Sequence, residues 1–296
     1  MSPANIVFSA LLVLQVLIIV TGGAVRLTGS GLGCPTWPTC TGKSYTPIAH
    51  QAQGKVHSWI EFSNRLLTFV LIVVAIVAVV MAIKKSKGRI DKNRVRILAA
   101  LQLIGILGQG VLGGITVLTH LNPLPVAGHF LLSIALIAGA LSLRHRMADR
   151  ATIQLLPTTF LLSRILLGLT LVVITLGTIV TGSGPHAGDA QARRFGIDPR
   201  TISWIHADSV TALICLAFAL FLLVRVSESK EVKEIFGSRL NRFIRICLLQ
   251  GAIGYIQYFT KLPIVLVAAH LLGSSLVWVN MWNLVYIGKS KTSQES

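Results

Sequence analysis

The sequence predicts an all-α membrane protein, with eight transmembrane helices arranged as two pseudo-symmetric four-helix bundles. Hydrophobic residues make up 53% of the 296-residue chain and charged residues only 12%, a composition typical of a protein that spans a bilayer. Apolar stretches near the ~20 residues that a transmembrane helix requires recur along the whole chain. An internal repeat divides these stretches into two sets of four, which predicts the two bundles.

The first stretch begins close to the N-terminus, where a secretory signal peptide would also lie. It has no basic region before it and no small-residue cleavage site, and its apolar run is too long, so we interpret it as a true span. The predicted spans are residues 5–25, 59–82, 97–118, 126–143, 160–181, 203–224, 242–260 and 264–287.

The basic residues predict the orientation of these spans. Nineteen of the 27 Lys and Arg residues lie on one side, and the positive-inside rule places that side, with both termini, in the cytoplasm of a cell-membrane protein. The net charge of +17 favours contact with anionic membrane lipid. No nucleic-acid partner is expected, because the charge is divided among loops. The nineteen residues are Lys84, Lys85, Lys87, Arg89, Lys92, Arg94, Arg96, Arg144, Arg146, Arg150, Arg164, Arg225, Lys230, Lys233, Arg239, Arg242, Arg245, Lys289 and Lys291.

The internal repeat is most evident in two segments of equal length. Residues 107–121 (LGQGVLGGITVLTHL) align without gaps with residues 248–262 (LLQGAIGYIQYFTKL) and share Gln, Gly, Ile, Thr and Leu at matching positions. The same offset aligns His129 with His270. The match extends over too many positions to be accidental.

A second element of the repeat follows the first and fifth spans, where Thr-Gly-Ser-Gly occurs at 28–31 and again at 181–184. Because each half contains an even number of spans, both halves have the same orientation, and their pseudo-symmetry axis runs along the membrane normal. We therefore expect an N-terminal bundle in residues 1–150 and a C-terminal bundle in residues 151–296.

Two of the four cysteines, Cys34 and Cys40, lie in the loop after the first span, which reads Cys-Pro-Thr-Trp-Pro-Thr-Cys. This loop is predicted to face the oxidising compartment, where neighbouring cysteines form disulfides. We expect a Cys34–Cys40 disulfide rather than a zinc or redox site. Cys215 and Cys247 fall inside apolar spans, where cysteine behaves as a small hydrophobic side chain.

Histidines occur near the outer ends of three predicted spans, at His129, His206 and His270, and Asn64 occupies the matching place in the second span. A single histidine in a bilayer is more often hydrogen-bonded packing than a ligand, because burying an unpartnered imidazole is costly. Three at matching positions favour metal binding, and two imidazoles on one iron are typical of heme. Zinc is disfavoured, because no third ligand is visible near His206 and His270.

The second span also carries His57, Glu61 and Asn64 at spacings of four and three residues, which places them on one helical face. Glu61 is either a proton acceptor or water-positioning carboxylate at a reactive centre, or an acidic residue favoured at the positive end of a helix. Arg65 and Arg26 are either partners of heme propionates or interfacial arginines.

Six segments of the chain resemble the heme A synthase family, in the same order. The segments are VTGGAVRLTGSGLGCPTWPTC at 20–40, IEFSNRLL at 60–67, AGHFLLS at 127–133, VTGSGPHAGD at 180–189, IHAD at 205–208 and AAHLLGS at 268–274. The resemblance covers essentially the whole chain. It implies an eight-span enzyme with a heme b cofactor in the C-terminal bundle and its substrate, heme O, in the N-terminal bundle. The implied reaction oxidises the C8 methyl group of heme O to a formyl group, by successive hydroxylations and loss of water.

The resemblance also implies roles for individual residues. His206 and His270 match the axial ligands of heme b, and His129 matches one histidine of the substrate site. Glu61 matches the family's functionally important carboxylate, and the two cysteines of the outer loop match its cysteine pair.

The chain departs from the family pattern at one position. The family's Glu-x-x-His-Arg pattern has a histidine where this chain has Asn64, followed by Arg65. Asparagine is a poor iron ligand, so either His129 alone holds the substrate iron and the other face stays open, or His57 substitutes. We favour the first, because His57 is expected to lie too far out in the interface.

The implied partners are the enzyme that makes heme O, cytochrome oxidase or its assembly factors, and a membrane electron donor, either a quinol or a small redox protein. One alternative is a non-enzymatic b-type cytochrome with two bis-liganded hemes, which Asn64 disfavours. A small-solute transporter would require broken helices and polar sites at the bilayer midplane, whereas the polar residues here lie at the outer helix ends.

Overall fold

The computed structural model describes residues 3–291, and within them the chain forms eight α-helices, which confirms the predicted all-α class. The helices are α1 (Pro3–Leu27), α2 (Lys55–Lys85), α3 (Lys92–Leu118), α4 (Pro123–Met147), α5 (Pro157–Ser183), α6 (Pro199–Ser227), α7 (Lys230–Phe259) and α8 (Ile264–Ile287). Seven of these described helices, all except α7, are long and apolar enough to cross a membrane. The chain is therefore a multi-pass membrane protein.

Helix α7 begins twelve residues before the span predicted at 242–260, inside a basic segment that the sequence analysis assigned to a loop. It starts there because Ser229 caps it, with its hydroxyl accepting a hydrogen bond from the amide of Val232 at 3.4 Å, and because Glu231 in the first turn complements the helix dipole. The charged first half of α7 lowers its average hydropathy. A membrane span in its second half stays a prediction.

The described chain divides into two compact units. The first comprises the residues up to Ala148 together with Thr178–Pro199, and the second comprises Asp149–Gly177 together with the residues from Arg200 onward. The first division falls near the predicted boundary at residue 150. The predicted assignment of one substrate bundle and one cofactor bundle stays a prediction.

In the first unit, each of the four helices α1–α4 packs against two others: α1 and α3 both contact α2 and α4. Small side chains at Ala75, Ala78 and Ala82 line the buried stripe of α2. Their spacing of three and four residues places these small side chains on one helical face, so the neighbouring helices can approach it closely.

In the second unit, one hydrophobic cluster draws buried residues from all four helices α5–α8. The short strand β1 (Ile153–Leu155) adds Ile153 and Leu155 to this cluster and pairs in parallel with β2 (Gly288–Ser290), with Ile153 opposite Gly288. The sequence does not predict this pair, because three residues are too few to show an alternating pattern. The strands tie the segment before α5 to the segment after α8.

The turns that follow α3 and α7 have the same backbone conformation. His120 and Leu121 have φ values of 53° and 60°, and Lys261 and Leu262 have φ values of 62° and 59°. Left-handed conformations are unfavourable for side chains other than glycine. Here each is stabilised, since the amides of Leu121 and Leu262 donate to carbonyls five residues earlier, at 2.9 and 2.7 Å.

One basic segment is ordered by a carboxylate. Asp91, just before α3, accepts hydrogen bonds from Arg89 at 2.9 Å and from Arg146 at 3.3 Å. Arg89 also donates to the backbone carbonyl of Arg146 at 3.1 Å. The hydrogen bond from Arg89, followed by the positive charge of both arginines, lowers the pKa of Asp91.

Candidate functional site

In the second unit, His206 of α6 and His270 of α8 each lie against a glycine of the preceding helix. A Cβ atom at Gly177 would stand 3.4 Å from Cε1 of His206, and a Cβ atom at Gly254 would stand 3.3 Å from Cε1 of His270. A larger residue at either glycine would therefore press on the imidazole. The two rings also lie close enough for the charge of His206 to act on His270, and their assignment as a ligand pair stays a prediction.

The same glycines uncover a backbone carbonyl beside each ring. The carbonyl of Val173 lies near His206 and that of Gln250 lies near His270, and each of these residues precedes the glycine by four positions. In an α-helix the carbonyl of residue i points toward residue i+4, so a glycine at i+4 leaves that carbonyl accessible from the side. Every larger residue would cover it.

Each imidazole has a ring nitrogen available to bond the carbonyl beside it. Nδ1 of His206 and Nδ1 of His270 are buried and make no hydrogen bond of normal geometry within the described residues. A histidine that binds a metal usually donates its second ring N–H to a carbonyl or carboxylate, which fixes the tautomer. The surroundings of both rings therefore fit a pair of axial heme ligands.

A zinc site has less support from the structure. Within residues 3–291, no group of three or more His, Cys, Asp and Glu side chains is placed to hold a metal ion. Protein zinc sites need three or four such ligands. Two imidazoles alone are a sufficient protein ligand set when a porphyrin supplies the other four donors.

In the first unit, His129 of α4 also lies against a glycine of the preceding helix, but it turns the Nε2 edge of its ring to that glycine, whereas His206 and His270 turn the Cε1 and Nδ1 edge. A Cβ atom at Gly113 would stand 3.3 Å from Nε2 of His129, and the carbonyl of Gln109, four residues before that glycine, lies near the ring. The side chain of Gln109 donates to the carbonyl of His129 at 3.0 Å, just as Gln250 donates to the carbonyl of His270 at 2.8 Å. Both glutamines belong to the internal repeat, but their contacts with the histidine carbonyls were not predicted.

Asn64, at the fourth matching position, lies on α2 beside α1. The hydroxyl of Thr21 donates to Oδ1 of Asn64 at 2.7 Å, and a Cβ atom at Gly22 would stand 3.9 Å from Nδ2 of Asn64. His57 lies further toward the helix start, where its Nδ1 is 2.8 Å from the hydroxyl of Ser30. The ring of His57 therefore already has a partner at the beginning of the outer loop.

A groove of about 580 Å³ runs along α1 and α2 and reaches Asn64. Apolar side chains form most of its wall, among them Val56 and Ile60, and Lys55 lies on it near the first turn of α2.

Glu61 and Arg65 of α2 form an ion pair, with a guanidinium nitrogen 2.7 Å from the carboxylate. The other carboxylate oxygen of Glu61 accepts a hydrogen bond from the amide of Cys34 at 2.6 Å. Arg65 also donates to the backbone carbonyls of Cys34, Thr36 and Thr39, at 2.8, 3.1 and 3.0 Å. The i, i+4 spacing predicts such a pair, but its contacts with the outer loop were not predicted.

The outer loop contains the disulfide that the sequence predicted. Cys34 and Cys40 are bonded through their sulfur atoms, and both residues are fully buried. Cys215 is exposed and Cys247 is buried, and neither is in a disulfide.

Arg26, the other arginine considered as a partner of a heme propionate, has a different environment from Arg65. Nη2 of Arg26 donates to the carbonyl of Thr181 at 2.7 Å. Its Nε is buried and makes no hydrogen bond within the described residues. Of the two arginines, Arg26 thus retains an unused donor.

The long apolar helices and the buried imidazoles set against glycines define a class of protein, the helical membrane proteins whose paired histidines can hold heme. Comparison with known sequences identifies the family. The profile of the COX15-CtaA family, described as cytochrome oxidase assembly protein, matches residues 5–282, and the chain belongs to this family.

Three similar proteins are each named heme A synthase. The chain is 25% identical to a protein of Shewanella oneidensis named heme A synthase, over 96% of each chain. It is 30% identical to a heme A synthase of Exiguobacterium sibiricum over 60% of this chain and 59% of the relative. A heme A synthase of Bacillus pumilus is 35% identical over 43% of this chain and 39% of the relative.

Proposed function

We propose that this protein converts heme O to heme A within the membrane, by oxidising the C8 methyl group of heme O to a formyl group. Its membership in the COX15-CtaA family and the names of its relatives support this function. The observation that carries the proposal is the placement of three imidazoles, each beside a glycine and the carbonyl that this glycine uncovers. The reaction removes four electrons from the methyl carbon, with O2 as the proposed oxidant. In each of two successive hydroxylations one oxygen atom enters a C–H bond and the other is reduced to water by two electrons from the donor and two protons; the resulting diol then loses water to give the formyl group.

The architecture of the proposed enzyme is two pseudo-symmetric bundles of four transmembrane helices. Residues 1–150 form the site for the substrate heme O, and residues 151–296 form the site for the cofactor heme b. The matching turns after α3 and α7, and the matching bonds from Gln109 and Gln250 to histidine carbonyls, support this internal symmetry.

His206 and His270 are the proposed axial ligands of heme b. Each would ligate iron through Nε2 and donate Nδ1–H to the carbonyl uncovered by its glycine, which fixes the ring orientation and tautomer. Heme b bound there supplies one-electron redox chemistry. The protein contributes the orientation of the imidazoles and a dry, apolar surrounding.

His129 is the proposed protein ligand of the substrate iron. Asn64 adds no second imidazole, which leaves one face of the substrate open to a small reactant. The bond between His57 and Ser30 supports this arrangement, because it holds the alternative ligand at the start of the outer loop.

Glu61 is the proposed proton acceptor or water-positioning group for oxidation of the methyl carbon. Its carboxylate is held by Arg65 and by the amide of Cys34, so its orientation is fixed before substrate binds. Arg26 is a better candidate than Arg65 for a propionate group, because the guanidinium of Arg65 is occupied by Glu61 and three loop carbonyls.

The proposed location is the cell membrane, with both termini in the cytoplasm and the disulfide loop outside. There the protein would receive heme O from the enzyme that makes it and deliver heme A to cytochrome oxidase or its assembly factors. A membrane electron donor, a quinol or a small redox protein, completes the proposed reaction.

The direct test is to co-express the chain with a heme O producer and to identify the extracted hemes by chromatography. We expect heme A in cells with the wild-type chain and heme O alone in cells with His129→Ala. The matched control is His50→Ala, because His50 is exposed in the outer loop and its loss should leave heme A formation unchanged. Heme O alone in the wild-type cells, with a b-type spectrum in the purified protein, would instead support the electron-carrying cytochrome.

A further inference from the structure

The outer loop of residues 34–40 is closed by the Cys34–Cys40 disulfide and is called the disulfide loop below. The proposed function gives this disulfide no role. We propose that Glu61 and Arg65 form a clasp that holds the disulfide loop closed, and that this clasp controls the access of reductants to the disulfide. In this role Arg65 is a positioning residue for the loop. The inference rests on protein contacts alone and holds whether or not the chain makes heme A.

The disulfide is inaccessible while the loop stays in place. Cys34 and Cys40 both have 0% of their surface exposed, although they belong to a loop rather than to the helical core. A thiolate or phosphine must reach a sulfur atom to break the bond. Reduction therefore requires the loop to open, and its rate follows the population of the open state when opening and closing are fast.

The clasp contacts the loop at both ends of the disulfide. Glu61 accepts the amide hydrogen of Cys34, and Arg65 donates to the carbonyls of Cys34 and Thr36 on one side and of Thr39 on the other. One planar guanidinium thus spans the loop through carbonyls that the loop's own backbone leaves free. Lysine has no such fork and could not bind several carbonyls in one plane.

The clasp is itself largely removed from water, which makes its bonds costly to break. Only 19% of the Arg65 side chain and 7% of the Glu61 side chain are exposed. Hydrogen bonds that involve an ionised group are stronger than neutral ones, and more so away from solvent. Opening the loop must break the bonds from Arg65 to the three loop carbonyls and the bond from the Cys34 amide to Glu61, because all of these end on the same short segment.

A second contact holds the tip of the loop. The indole of Trp37 packs on Gly114 of α3, so closely that a Cβ atom there would stand 2.7 Å from Cε2 of the ring. Gly114 adjoins Gly113, the glycine that faces His129. The disulfide loop is therefore fixed to α2 by the clasp and to α3 by Trp37, at the end of the unit that contains the proposed substrate site. Opening the loop would also remove Trp37 from beside that site.

The test measures the rate at which the disulfide is reduced in the full-length, purified protein, with no substrate added. Tris(2-carboxyethyl)phosphine is the reductant: it gives two electrons and takes an oxygen from water, the S–S bond breaks, and each sulfur takes a proton. Samples are quenched in detergent with a maleimide polymer, which adds two labels to the oxidised chain and four to the reduced chain, since the chain has four cysteines.

We expect the disulfide of the Arg65→Gln variant to be reduced about tenfold faster than that of wild type, because several charge-assisted hydrogen bonds of the closed loop are lost. Arg65→Lys should fall between the two, since it keeps the charge and loses the fork. Glu61→Gln should accelerate reduction by about threefold, because it keeps an acceptor for Cys34 but not the ion pair. The matched control is Arg193→Gln, whose exposed side chain lies in another outer segment.

A second variant addresses the chance that Arg65→Gln does not accumulate. Gly114→Ala leaves the clasp intact and displaces Trp37, so it should also speed reduction. Its control, Gly108→Ala on the same helix, adds a methyl group with no atom within 4 Å. If Gly114→Ala and every clasp variant that can be purified are reduced within twofold of these controls, the clasp does not govern access and the proposal is wrong. Heme A formation plays no part in this result, so it is separate from the test of the proposed function.

Discussion

Replacing Gly254 by alanine should weaken heme b binding through His270, although a glycine has no side chain that could bind heme. The added Cβ would stand 3.3 Å from Cε1 and 3.8 Å from Nδ1 of the imidazole. The first distance is shorter than an ordinary van der Waals contact, so the ring must move by a few tenths of an ångström. The same methyl group covers the carbonyl of Gln250, which Nδ1–H needs as its partner.

The expected magnitude follows from these two effects. A neutral hydrogen bond contributes about 0.5–1.5 kcal/mol, and loss of the partner that orients a metal-bound histidine typically costs about 10- to 100-fold in metal affinity. We therefore expect Gly254→Ala to retain about tenfold less heme b than wild type under dilution. Gly177→Ala should have a smaller effect on His206, because its Cβ would stand 3.4 Å from the ring.

The assay is the heme content of the purified protein, measured as the pyridine hemochrome, together with the low-spin electron paramagnetic resonance spectrum and the midpoint potential of the bound heme. The controls are Gly251→Ala in α7 and Gly168→Ala in α5, which add a methyl group with no neighbouring atom within 4 Å. Both should favour helix formation by up to about 1 kcal/mol and leave the spectrum unchanged. Equal heme content and identical spectra in Gly254→Ala and Gly251→Ala would refute the role of the glycine.

Three further predictions concern other parts of the chain. His206→Ala or His270→Ala should remove the stably bound b-type spectrum, because each variant leaves one axial ligand. Glu61→Gln should keep heme b but stop formyl production, which is measured by heme chromatography. Asp91→Asn should lower the melting temperature at neutral pH. Because the pKa of Asp91 is lowered in the folded protein, its stabilisation is present above the ordinary pKa of 3.8 and is lost as the pH falls through the lower folded value.

Each of these predictions has an outcome that would contradict it. An unchanged low-spin spectrum in both histidine variants would remove the ligand assignment. Wild-type turnover in Glu61→Gln would reduce Glu61 to its structural contacts with Arg65 and the disulfide loop. The melting temperatures of wild type and Asp91→Asn should converge in acid, and a constant difference down to the most acidic pH tested would exclude the link to Asp91 ionisation.

The features that the sequence predicted depend on short stretches of chain. Each long helix contains its own apolar run, and the disulfide joins two cysteines six residues apart. Both could be predicted because no knowledge of distant contacts was required. The start of α7 was missed for a related reason: a basic segment in a membrane protein suggests a loop, whereas the cap at Ser229 and the helix-forming residues after it extend the helix into that segment.

The features that were missed depend on which helices face one another. Gly177 and Gly254 could be recognised as small residues, but their relation to a histidine on the next helix needs the packing of the two helices. Arg65 was expected either to pair with a heme propionate or to lie in the interface as a membrane-surface arginine. Its actual partners include neutral backbone carbonyls of the disulfide loop, and no sequence pattern marks a carbonyl as free.

The pairing of β1 with β2 has a practical consequence for protein engineering. The amide of Lys291 donates to the carbonyl of Leu155 at 2.9 Å, so the segment after α8 closes the second unit onto its own beginning. The two ends of the second unit therefore lie side by side, an arrangement that permits circular permutation of a domain. An affinity tag is therefore best attached beyond Lys291, whereas truncation before Gly288 would leave Leu155, which is fully buried, without its covering strand.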